Sequence, residues 1–157
     1  MKILYICTHN RCRSILSEAI TNQVGGDKII ARSAGSQPVG EVHPLSIKYL
    51  AESGIPTDNL KSQSWDEFEE FAPDLVITVC DSAAGETCPV WFGKSLKMHW
   101  GLSDPSKLEG SESEIKEAFM HTIDEIKQRV ETLMALDLKQ MDREQLIQAL
   151  ITLGATA

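Results

Sequence analysis

The chain has 157 residues, 42% hydrophobic and 24% charged, with a formal net charge of -8. That length suits one domain with a real core, and the composition excludes a disordered chain. The acidic balance argues against nucleic-acid or anionic-membrane binding, which needs a basic surface. No apolar run reaches the roughly 18 residues of a membrane span, and one lysine ahead of a strand is no signal peptide, so a cytoplasmic location is expected.

Lys2 to Ile6 reads as a buried strand. Ile15, Leu16, Ala19, Ile20 and Val24 share one helical face, and Gly25-Gly26 stops that helix. Lys28 to Ser33 reads as a second strand, which makes a βαβ unit with parallel strands. After a loop over Ala34 to Val42, a helix starts near His43, with Pro44 in its first turn and Gly54 past its end. Ser64-Trp65-Asp66-Glu67 is a capping-box pattern for a short helix through Phe71. Asp74 to Cys80 reads as a buried parallel strand and Leu96 to Trp100 as a short one. Ser111-Glu112-Ser113-Glu114 caps a long helix whose stripe is Ile115, Phe119, Ile123, Ile126, Val130 and Leu133. From Asp137 one more amphipathic helix is expected, stopping at Gly154.

This alternation gives an α/β chain. The expected fold is a doubly wound, mostly parallel four-stranded sheet with helices on both faces, plus an extra C-terminal helix. Residues 1–136 form the domain, and 137–157 an extension packed on it or on a partner subunit.

The chemistry concentrates in Cys7-Thr8-His9-Asn10-Arg11-Cys12-Arg13-Ser14, between the first strand and the first helix. A turn entering a helix aims backbone N–H groups into a concavity that binds anions, and the helix end adds about half a positive charge. Arg13 can hold an oxyanion with its planar fork. The same field favours a Cys7 thiolate, to which Ser14 can donate its hydroxyl. Asn10 tolerates the left-handed conformation that such a cradle uses. Thr8, His9, Asn10, Arg11, Cys12, Arg13 and Ser14 are therefore the oxyanion-binding candidates. Ligands of α/β sheets bind at the carboxyl ends of strands; Cys7, Cys80 and Asp104 all fall at that edge of the expected sheet.

Four cysteines in a cytoplasmic chain are more often nucleophiles, redox groups, metal ligands or buried bystanders than structural disulfides. No C-x-x-C occurs, which disfavours zinc. Cys12 reads as a small buried thiol, with a Cys7–Cys12 disulfide under oxidation as the alternative.

The loop resembles the C-x5-R-S phosphate loop of the low-molecular-weight protein tyrosine phosphatase fold. Val76 to Cys80, Cys88-Pro89, His99-Trp100-Gly101 and Asp104-Pro105 resemble the arsenate reductases built on it. The resemblance runs to about residue 135 and implies reduction of arsenate to arsenite with thioredoxin as electron donor. It implies that Cys7 attacks arsenic, Arg13 and the loop amides hold its oxygens, and Asp104 protonates a departing oxygen. Cys80 then attacks the adduct, and Cys88 carries the disulfide outward. Were 80–88 one straight helix, the two cysteines would stand about 12 Å apart, too far for a disulfide, so an 81–95 loop that changes between redox states is expected.

The family often has Gly where His9 stands and a small residue where Arg11 stands; both read here as exposed side chains. No tightly bound cofactor is implied. A potassium ion found in some relatives is matched in part by Asn10, Glu18 and Ser33, without a counterpart for its remaining carboxylate. Phosphate and sulfate are competing oxyanions. The rival readings are a phosphatase using Cys7, Arg13 and Asp104 without Cys80 or Cys88, a glutathione/glutaredoxin-dependent reductase in which Cys88 is dispensable, and a non-enzymatic arsenic- or metal-binding module.

Overall fold

The computed structural model describes residues 2–26, 29–57, 60–68, 70, 71, 73–79, 96–99 (as backbone), 105, 109–134, 144, 145 and 148. Its elements in chain order are β1 (Lys2–Ile6), α1 (Arg13–Gly25), β2 (Ile30–Ala34), α2 (Pro44–Glu52), a 3-10 turn (Trp65–Phe68), β3 (Leu75–Thr78), β4 (Leu96–His99) and α3 (Glu112–Met134).

The strands lie in the order β2-β1-β3-β4, and every pairing is parallel. Ile6 stands opposite Ala34 on one side and Thr78 on the other, and Thr78 opposite His99. The four strands thus end together at one edge. β1 is central, and Ile3, Leu4, Tyr5 and Ile6 are all buried, the continuous apolar run of a strand covered on both faces. Tyr5 faces α1, where its hydroxyl bonds Thr21 Oγ1 at 2.7 Å. The other face of β1 carries Lys2, whose ammonium sits over the Phe71 ring beyond the 3-10 turn.

The expected mostly parallel sheet needs correction. Leu96–His99 extends the ladder along β3 as an edge strand. The ladder is wholly rather than mostly parallel. The described α-helices also touch one another, α1 with α2 and α3, and α2 with α3. The C-terminal helix falls largely outside the described residues, of which Glu144, Gln145 and Gln148 are helical.

Smaller differences have local causes. β2 runs from Ile30 rather than Lys28, and Asn22 of α1 pins it: Oδ1 accepts from Ala31 N–H at 2.8 Å and Nδ2 donates to Ala31 O at 3.1 Å. One amide side chain thereby serves both backbone groups of an edge-strand residue. The Ser64–Glu67 box forms, with Ser64 N–H donating to Glu67 Oε2 at 2.9 Å, but it caps only one 3-10 turn. At α3 the box is reciprocal: Glu114 N–H donates to Ser111 Oγ, and Ser111 Oγ–H to Glu114 Oε1. The expected stripe is buried from Phe119 to Leu133, and Tyr49 of α2 packs on Phe119 with ring centroids 5.1 Å apart.

Candidate active site

β1 delivers Cys7 to the carboxyl edge of the sheet, and its N–H still donates to Ala34 O at 3.2 Å, one residue past the strand. Cys7 and Cys12 are both buried thiols. α1 begins at Arg13 with Cys12 at the N-cap, and the Cys12 side chain makes no capping hydrogen bond. The cysteine and the first turn of α1 therefore meet across a short loop, as the strand–loop–helix pattern requires.

The loop is held from outside by the irregular 35–43 segment and the first turn of α2. Thr8 O accepts from Gln37 N–H at 2.9 Å, and His9 O from Val39 N–H at 3.2 Å. Arg11 O accepts from His43 N–H at 2.9 Å and from Ser46 Oγ at 3.5 Å. Three loop carbonyls thus face away from the loop centre. In a trans peptide the following N–H points the opposite way, and the described residues contain no cis bond. The amides of His9 and Cys12 are thereby turned inward, which is the orientation an oxyanion needs.

Asn10 supplies the sharp bend. Its φ is +47°, and it is the only non-glycine in that region among the described residues. It is fully buried, and its side chain is gripped at both ends: Oδ1 accepts from Gln63 N–H at 2.8 Å and Nδ2 donates to Ser14 Oγ at 2.8 Å. Because Ser14 Oγ accepts from Asn10, its own hydrogen remains available as a donor. Asn10 N–H donates to Cys7 O at 3.2 Å, closing the turn.

Asn10, Ser14 and Glu18 follow one another at helical spacing. Glu18 is only 5% exposed and accepts from Ser33 Oγ at 2.8 Å. Burial pushes its carboxyl above the usual range, opposed by the Ser33 hydrogen bond and the Arg32 charge. Gln63 Nε2 donates to Ser33 O at 3.4 Å, completing a polar column beneath the loop. For the potassium ion this matters: Asn10 Oδ1 and Glu18 already receive donors from Gln63 and Ser33. The residues pair with protein donors as a structural network rather than as a cation cage. Among the described residues no three His, Cys, Asp or Glu side chains cluster as metal ligands.

His9 and Arg11 are exposed, as read from sequence, and His9 Nδ1 lies 3.3 Å from Gln37 O. Cys80, Cys88, Asp104 and the 81–95 loop lie outside the described residues. Val79, the residue before Cys80, is buried and donates its N–H to Ile6 O at 2.9 Å, directly before Cys7. Sequence reasoning missed Gly35, where an added Cβ would lie 2.5 Å from Thr8 O and 2.6 Å from Cys7 O. It also missed Ser62 and Gln63, which sit in a polar stretch without periodicity.

The chain matches the low molecular weight phosphotyrosine protein phosphatase family over residues 2–146. It belongs to that family. Within the family its sequence groups with the arsenate reductases: that of Halalkalibacterium halodurans is 35% identical over 130 residues, covering 83% of this chain and 92% of the relative. An arsenate reductase solved in the phosphate-binding state aligns with a TM-score of 0.70 at 30% identity, over 85% of this chain and 96% of that one. A thioredoxin-dependent arsenate reductase of Corynebacterium glutamicum aligns with a TM-score of 0.67 at 28% identity, over 88% of this chain and 63% of that one. No described helix is long and apolar enough to cross a membrane.

Proposed function

We propose that the protein is a cytoplasmic arsenate reductase that uses Cys7, Cys80 and Cys88 in turn and is re-reduced by thioredoxin. The observation that carries this is the buried Cys7 thiol beside a loop whose carbonyls face outward, in a chain whose relatives are arsenate reductases.

The Cys7 thiolate attacks arsenate held by the loop amides and Arg13, and Asp104 protonates an oxygen that leaves as water. Cys80 thiolate then attacks the Cys7 sulfur. A Cys7–Cys80 disulfide forms, the sulfur–arsenic bond breaks with its electron pair going to arsenic, and As(V) leaves as As(III) arsenite. Cys88 thiolate attacks the Cys80 sulfur, freeing Cys7, and a dithiol reductant restores the Cys80–Cys88 pair with two electrons.

The test is arsenate-dependent NADPH oxidation with thioredoxin and thioredoxin reductase for wild type, Cys80→Ser and Cys88→Ser. Turnover in wild type and its loss in both variants is the expected result. Full activity of Cys88→Ser sinks the thioredoxin relay in favour of glutaredoxin; no arsenate turnover with either donor sinks the reductase.

A further inference from the structure

The His9–Asn10 peptide is held by two long backbone bonds, Val39 N–H to His9 O and Asn10 N–H to Cys7 O, each at 3.2 Å. It precedes Asn10, the one non-glycine with a left-handed φ among the described residues, and its carbonyl lies on an exposed rim. A side chain from the far end of the described half-chain reaches it. Ser62 Oγ donates to His9 O at 3.2 Å and accepts from Gly40 N–H at 3.2 Å. The next residue, Gln63, gives its N–H to Asn10 Oδ1 and takes Gly35 N–H on its carbonyl at 2.9 Å. Trp65 N–H returns to Gly35 O at 3.0 Å. Ser62 is therefore, with Asn10, a side-chain member of a clasp that ties the loop, the 35–46 segment and the 62–65 segment together.

We infer that Ser62 is a positioning residue for oxyanion binding: its hydroxyl holds the His9 carbonyl outward and so keeps the His9–Asn10 peptide from rotating. A rotated peptide turns a carbonyl oxygen, a partial negative charge, towards the place where the oxyanion binds. Ser62 touches neither the nucleophile nor the arsenate; it acts through His9. Of the two donors on that carbonyl, Val39 N–H and Ser62 Oγ, only the second comes from a side chain, so it can be removed by substitution without altering the backbone. The inference rests on the Cys7–Ser14 loop being an oxyanion cradle.

The experiment measures inorganic phosphate and arsenate affinity as protection of Cys7 from alkylation, with KM and kcat for arsenate, in wild type, Ser62→Ala and Ser62→Thr. Ser62→Ala is expected to lose roughly three- to tenfold in oxyanion affinity, the worth of one neutral hydrogen bond. KM should rise by the same factor, with kcat within about twofold and an unchanged melting temperature; Ser62→Thr, which keeps the hydroxyl, restores affinity. Wild-type affinity in Ser62→Ala overturns the inference alone. A loss of melting temperature with the affinity of the folded fraction intact makes Ser62 merely structural and also overturns it. If neither anion protects Cys7 in wild type, the cradle reading falls, and this inference with it.

Discussion

The groups buried beneath the cysteine loop and those buried between α2 and α3 are opposite in kind. Under the loop stand Asn10, Ser14, Glu18 and Ser33, all polar and nearly inaccessible. Between the helices stand Tyr49, Phe119 and Ile123, at 1% exposure or less. A large apolar side chain contributes about 1.5–3 kcal/mol by leaving water and tolerates small sliding. A buried polar group costs free energy unless paired, so the column adds little net stability, yet each hydrogen bond has a preferred distance and angle. Stability and loop geometry are thus supplied by separate parts of one core, and substitutions should separate them.

The largest effect is expected at the loop. Gly35→Ala drives a methyl against the Thr8 and Cys7 carbonyls, and a displacement near 1 Å costs on the order of a hundredfold in rate. Steady-state assays on folded material check this; activity within threefold of wild type would break the idea that this close approach sets the loop. Phe119→Ala attacks the other region and should cost about 3–5 kcal/mol in urea unfolding, while the folded fraction keeps its KM. A changed KM there would merge the two regions.

Asn10 separates backbone from side chain. Asn10→Ala places a residue with no polar side chain at φ +47°, a strain of roughly 1–2 kcal/mol, and removes both side-chain bonds. Asn10→Gly removes only the bonds and should keep more activity and a higher melting temperature. If the two variants behave alike, the left-handed bend is not what Asn10 supplies.

Glu18 gives a pH signature. Its carboxyl is raised in the folded state by burial, so its contribution to stability is fully present below its unfolded value and is lost as pH rises through the raised folded value. Glu18→Gln removes that titration. The melting temperature of Glu18→Gln relative to wild type should therefore be higher at pH 8 than at pH 4.5; a pH-independent difference rules this out. The smallest change is expected from Ser36→Ala. Ser36 Oγ is buried without a hydrogen-bond partner, and its removal should raise stability by up to about 1 kcal/mol, with a clear loss counting against it.

The division between the two regions also explains what could be read from the chain. The α3 stripe and the β1 run were legible because apolar periodicity is a local signal, and the Cys7–Ser14 loop was legible because its residues are contiguous. The clasp was not: Gly35, Ser62 and Gln63 matter through bonds to residues far away in sequence, and a polar stretch such as Lys61-Ser62-Gln63-Ser64 has no period to betray it. The mutual packing of α1, α2 and α3 was equally hidden, because a sequence shows that helices alternate with strands but not which helices touch. The burial of Glu18 follows from α1 packing on the sheet, α2 and α3 together, a tertiary fact without a local sign.

The clasp has a consequence for the order of synthesis. Cys7 leaves the ribosome long before Ser62 and Gln63, whose bonds to His9 and Asn10 finish its surroundings. A nascent chain ending near Gly54 carries β1, α1 and β2, but not the residues that bond His9 O and the Asn10 side chain from the 62–63 segment. The thiol is thus made early and armed late, after the chain that holds its loop has been translated.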